Sequence, residues 1–177
     1  IDDSAVGVIN RAAGTPTAVD DETARLVTFA TTIHGLSGGM FDITSGVLRR
    51  AWTFDGRSRV PTQAEIDALL PLVGWHRARW EPPVLTLQPD MQVDFGGIGK
   101  EYAVDQAVDA ARKCTGSAVL VNFGGDLAVT GPRREGRPWR VGIEAARAGT
   151  TAAAALSDLS SGALATSGGT HRYIEID

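Results

Sequence analysis

The chain lacks the features that mark several whole classes of protein. No run approaches the ~18 apolar residues of a membrane-spanning helix. A single cysteine, Cys114, rules out an internal disulfide. It sits at a predicted helix end with no motif around it, and reads as a small apolar residue rather than a reactive thiol. Lysine is nearly missing, with only Lys100 and Lys113 against fifteen arginines, so a lysine inside a glycine cluster stands out. The net charge is −4 and no basic run exists, which argues against a nucleic-acid partner. The chain opens Ile-Asp-Asp-Ser, without an initiator methionine, a basic leader or a lipoprotein cysteine, and it ends inside an apparent strand at 172–176. Both ends therefore read as cut. Residues 1–177 are expected to be the central part of a larger domain, and localisation is unreadable because any export signal or membrane anchor would lie upstream.

What is present is a globular composition, 43% hydrophobic and 21% charged over 177 residues, enough to bury one core or two small ones. Asp20 to Glu22 supplies an N-cap and first-turn acids. Leu26, Val27, Ala30, Ile33 and Leu36 then follow at helical spacing, predicting a helix over 21–36 that Gly38-Gly39 stops. A short helix is expected over 45–51. Thr62 and Glu65 form a capping-box pair, with Ile66, Leu69, Leu70 and Val73 as its expected buried stripe. Val84 to Leu87 alternates as a strand. Tyr102, Ala103, Ala107, Val108 and Ala111 mark one face of the clearest helix. Short apolar runs at 118–122, 127–130, 139–144 and 173–176 then read as strands, and 145–155 as a loop leading to another. The order predicts an α+β fold with helices on a mainly antiparallel sheet.

Glycine is abundant at 21 of 177 residues, and it clusters at Gly38-Gly39, Gly96-Gly97-Gly99, Gly124-Gly125 and Gly168-Gly169. Glycine lets backbone approach a ligand closely, although each pair taken alone also reads as a tight turn. Asp94 to Lys100 is expected to carry the chain from a strand end to a helix beginning near Ile98, where free N–H groups favour phosphates. The spacing is not that of a Walker loop, because Asp94 and Glu101 stand where a glycine and a Ser/Thr belong. Asp94-Phe95-Gly96 has none of the other kinase motifs, and G-x-G-x-x-G is absent. By spacing alone, this is an anion loop.

Four blocks follow one another in order: SGGMFDITSGVLRRAWTF (37–54), VDFGGIGKEYAVDQA (93–107), LVNFGGDLAVTG (120–131) and LATSGG (164–169). They resemble successive signature blocks of the ApbE family of FAD:protein FMN transferases, and Asp3-Ser4 with Ile9-Asn10 is similar to that family's early serine–asparagine segment. The resemblance spans essentially the whole chain. It implies an α+β fold with FAD, the substrate, held in a cleft. Met40, Phe41, Asp42, Asp94 and Lys100 match flavin-nucleotide contacts, and Gly97 matches a residue whose backbone carbonyl ligates Mg²⁺. It also implies transfer of FMN from FAD to a threonine of an acceptor flavoprotein, with release of AMP. Other readings keep the site but hydrolyse FAD to FMN and AMP, or only bind FAD.

Each residue keeps a local alternative. Asp94 reads as a nucleotide acceptor, part of a metal's outer shell, or a cap for the helix that follows. Asp42 reads equally as a cap for a helix over 44–51, and Met40 and Phe41 as core. Asn122 and Asp126 either line the cleft or make the turn at Gly124-Gly125, and Thr166 and Ser167 are weaker candidates. His34 and His76 read as structural or surface residues. Three departures stand out. The family's later histidine, aspartate and threonine are not in this chain, Ser167-Gly168-Gly169-Thr170 replaces Ser-Gly-Asp-Tyr, and Lys100-Glu101 replaces Lys-Gly.

Overall fold

The computed structural model describes residues 3–53, 59–144 and 153–166. The expected strand at 173–176, the Gly168-Gly169 pair and Ser167 lie outside them, as does most of the 145–155 loop. The chain divides into two compact units between Gly97 and Ile98.

In the first unit, helix α1 (Ala5–Arg11) starts at Ser4, whose hydroxyl accepts from the Gly7 N–H at 3.0 Å. After the two-residue strand β1 (Thr17–Ala18) comes α2 (Asp21–Leu36), with the bounds expected from its sequence. Asp20 caps it by accepting from the Thr23 N–H at 2.7 Å, and Thr23, Val27 and Ala30 form its buried line at the spacing of one helical face. The Gly39 N–H closes the helix onto the His34 carbonyl at 2.8 Å, with Gly38 and Gly39 at φ 63° and 85°, a region only glycine enters cheaply.

The next element differs from expectation. It begins at Ile43 rather than Ser45, ends at Arg50, and is 3₁₀ rather than α. Close packing is the reason: a Cβ on Gly46 would stand 2.6 Å from Asp94 Cβ and 3.0 Å from Asp94 N, and the Asp94 N–H donates to the Ile43 carbonyl at 2.9 Å. The capping box of α3 (Gln63–Leu69) is present, but its stripe is not core. Ile66, Leu69 and Val73 are half-buried and Leu70 is 48% exposed. Strands β2 (Arg79–Glu81) and β3 (Val84–Thr86) pair antiparallel, and β1 adds to β3's other edge. Leu85, Met91, Val93, Val27 and Val47 are the deepest apolar side chains of this unit.

The second unit opens with α4 (Gly99–Cys114), which buries Val104 and Val108. Val104 is missing from the face read off the sequence, where half-buried Tyr102 and Ala103 were taken instead. The two valines meet Ala128, with Val121 against them. Strands β4 (Leu120–Phe123) and β5 (Asp126–Val129) form a hairpin turned by Gly124-Gly125, and β8 (Gly162–Leu164) pairs with β5. β5 is central and buried along its whole length. β6 (Trp139–Glu144) and β7 (Ala153–Leu159) form a separate antiparallel pair. Among the described residues every strand pairing is antiparallel, and the fold is α+β as expected.

Candidate functional site

The first unit holds a cavity of about 590 Å³, lined from two stretches that lie far apart in sequence. Met40, Phe41, Asp42, Ser45, Gly46, Arg49 and Trp52 come from the first, and Asp94, Gly96 and Gly97 from the second. That volume is within the range of small-molecule sites, and mixed aromatic and polar walls are their usual composition.

Each wall residue is fixed by identifiable contacts. Phe41 hangs from the turn after α2: its N–H donates to the Ser37 hydroxyl at 2.9 Å, and its carbonyl accepts from His34 Nδ1 at 2.9 Å. A carbonyl can only accept, so His34 carries its proton on Nδ1. His34 is thus the structural residue its sequence context suggested. The Phe41 ring lies against Gly97, where an added Cβ would come within 3.0 Å of it. Met40 is 93% exposed at the cavity edge and Phe41 half-buried, so neither is core.

The two cavity carboxylates have different duties. Asp42 is the cap of the 3₁₀ segment. Its Oδ1 accepts from the Thr44 N–H at 2.8 Å and the Thr44 hydroxyl at 2.6 Å, while Oδ2 accepts from the Trp75 N–H at 2.8 Å. Asp94 caps no helix, since Ile98 begins α4 without a side-chain bond. Asp94 Oδ1 accepts from the Gly96 N–H at 2.6 Å, an Asx turn, and Oδ2 accepts from Arg49 Nη1 at 2.9 Å. Asn10 holds this segment from behind: its side-chain amide accepts from the Val93 N–H at 2.8 Å and donates to the Val93 carbonyl at 3.0 Å. An amide side chain here imitates a strand neighbour, which explains the asparagine of the early segment.

Lys100 belongs to the second unit. Its ammonium pairs with Asp126, whose side chain is 3% exposed against 49% for the lysine. Asp126 also accepts from the Thr166 N–H at 2.9 Å. The Lys100 bond, then the Thr166 amide, hold its carboxyl below the ordinary aspartate value against the opposing effect of burial. Asn122, by contrast, is turn chemistry, accepting from the Gly125 N–H at 2.9 Å. Of the expected site residues, Met40, Phe41, Asp42, Asp94 and Gly97 are brought onto one cavity, while Lys100 is part of a different network. Arg49 and Trp52 line the cavity without having been singled out in the sequence, although both stand inside its first signature block. Among the described residues no three His, Cys, Asp or Glu side chains gather into a metal site, and no helix is long and apolar enough to cross a membrane.

Fold and cavity together define a mixed helix and antiparallel-sheet protein with a cavity edged by glycines. The ApbE family profile matches residues 1–177, and the chain belongs to the ApbE family. It is similar to the FAD:protein FMN transferases of Vibrio cholerae serotype O1, at 31% identity over 166 residues (92% of this chain, 50% of that protein), and of Salmonella typhimurium, at 33% over 172 residues (92% and 49%). Among solved structures, it resembles the ApbE protein of Thermotoga maritima with a TM-score of 0.86 and 32% identity, over 98% of this chain and 58% of that one. The apo flavinyl transferase ApbE of Pseudomonas stutzeri matches at 0.74 and 29%, over 90% and 51%. The chain spans about half the length of the curated relatives it matches.

Proposed function

We propose that this chain carries the flavin-nucleotide site of an FAD:protein FMN transferase. The observation that carries the reading is the convergence of two signature blocks, at 40–52 and 94–97, on one cavity of about 590 Å³. Phe41 offers an aromatic wall, and the Asp94 turn brings bare glycine backbone to the cavity edge, where a ligand meets no side chain. Names carried by relatives of matching fold support the same reading.

In the proposed reaction a threonine oxygen of an acceptor flavoprotein bonds to the FMN phosphorus of FAD. The anhydride P–O bond to AMP breaks, the hydroxyl proton is released, and FMN stays on the acceptor as a phosphoester. Catalysis of this kind is mostly positioning and charge stabilisation. This chain's own residues would supply the positioning: Phe41 and Trp52 wall the cavity, and Asn10 and Gly46 hold the Asp94 segment in register. Magnesium belongs to the reading through the family resemblance, with the Gly97 carbonyl as the matching ligand. Bound there, the ion would neutralise charge on the pyrophosphate.

The test is calorimetric titration of FAD into the full chain, with and without Mg²⁺, beside Asp94→Ala and Phe41→Ala. Saturable binding that strengthens with Mg²⁺ and weakens in both variants is expected, followed by FMN transfer to a threonine peptide. Absence of any FAD binding in the wild type would overturn the reading.

A further inference from the structure

The charged groups that line the cavity differ in how far their hydrogen bonds are already made. Both oxygens of Asp42 are engaged by Thr44 and Trp75, and both oxygens of Asp94 by Gly96 and Arg49. Every carboxylate oxygen of the wall therefore already has at least one donor from within the protein. Arg49 is in the opposite position. A guanidinium has five N–H donors, and only its Nη1 bond to Asp94 is made among the described residues. The neighbouring Arg50 differs, donating from Nη2 to the Asp90 carbonyl at 3.1 Å. Arg49 thus brings unused donors and a positive charge to a cavity whose negative groups are already bonded.

We propose that Arg49 is the anion-contacting, specificity-determining residue of this cavity, and that its guanidinium holds a phosphate of the bound dinucleotide next to Asp94. The inference rests on the flavin-nucleotide reading and adds to it the residue that selects for phosphate. Two features of the geometry fit the role. The Arg49–Asp94 pair is roughly half exposed on both sides, 49% and 40%, and such pairs hold weakly enough to re-form around an incoming anion. The planar fork also presents two parallel N–H groups to two phosphate oxygens, a fixed geometry that an ammonium's point charge lacks. Retaining Asp94 as a neighbour keeps the fork oriented while its remaining N–H groups turn to the ligand.

The experiment is calorimetric titration of wild type, Arg49→Gln and Arg49→Lys, in the full chain, with FAD, ADP and riboflavin as separate probes. FAD and ADP carry the pyrophosphate, and riboflavin carries none. The expected result for Arg49→Gln is a loss of about tenfold or more for FAD and ADP, with riboflavin binding unchanged within about twofold. Arg49→Lys keeps the charge without the fork and is expected to recover part of that loss. An equal loss for riboflavin, or no loss for FAD and ADP, overturns the assignment. The flavin reading fails separately: Arg49-dependent ADP binding without any flavin binding would retain the arginine and remove the flavin. FAD binding indifferent to Arg49→Gln would do the reverse, and a wild type that binds none of the three sinks both.

Discussion

Asp94 and Asp126 each stand beside a glycine pair in a signature block, yet they live in opposite environments. The Asp94 side chain is 40% exposed, at a cavity edge, with an exposed arginine as its partner. The Asp126 side chain is 3% exposed on a fully buried strand, tied to the Lys100 ammonium and the Thr166 amide. Exposure decides what a carboxylate is free to do. In water, ion pairs form and part at little cost, so the Asp94–Arg49 pair opens easily. A buried carboxylate has no water to fall back on, so Asp126 is a fixed joint that orients the lysine and anchors the chain after β8. The same residue type in the same kind of glycine-rich block gives an exposed cavity-edge group in one unit and a structural strut in the other.

Breaking the strut is expected to give the largest effect on stability. Asp126→Ala removes the acceptor of the Thr166 amide and the partner of Lys100, and is expected to cost about 2–3 kcal/mol, read as a lower denaturant midpoint at unchanged slope. The cost stays near the low end of buried-pair losses because Lys100 remains half exposed and regains water. The pH dependence has a definite sign. Asp126 titrates lower folded than unfolded, so its contribution is fully present above the unfolded value of about 3.9. It is lost as pH falls through the lower folded value. Asp126→Asn should flatten that acid limb, and an unchanged limb would show that the carboxylate is not ionised in the fold.

Gly46→Ala comes next. Its new Cβ meets the backbone and Cβ of Asp94, neither of which is a flexible side-chain end, so an overpacking loss of about 1–3 kcal/mol is expected. FAD affinity should fall with it, since the Asp94 turn must shift. Normal affinity in a destabilised Gly46→Ala would mean that the turn's position is not what the ligand reads. The smallest stability effect is expected from Asp94→Asn, under about 1 kcal/mol, with a clear loss of FAD affinity. A large stability loss there would erase the contrast between the two aspartates.

Much of the local structure could be read in advance. α2 was legible to the residue because Asp20, the apolar spacing and the glycine stop are all local signals. The capping box of α3 and the Gly124-Gly125 hairpin were legible for the same reason. β1 was not, being only two residues long and held by pairing with β3. The 3₁₀ form of 43–50 depends on a backbone contact with residue 94. The expected burial of Leu70 failed because helical periodicity gives a face but not what covers it.

The signature blocks and their order, which identify the family, lie wholly in the sequence, as do the caps, turns and helix faces. These depend on neighbours a few residues away, whose energies act whatever the rest of the chain does. The assignment of each polar group to ligand or scaffold does not. Asp94 meets Arg49 across 45 residues, Asp126 meets Thr166 across 40, and Asn10 meets Val93 across 83. Such pairings arise only when packing brings distant segments together, and burial then determines which of them ever exchange with water.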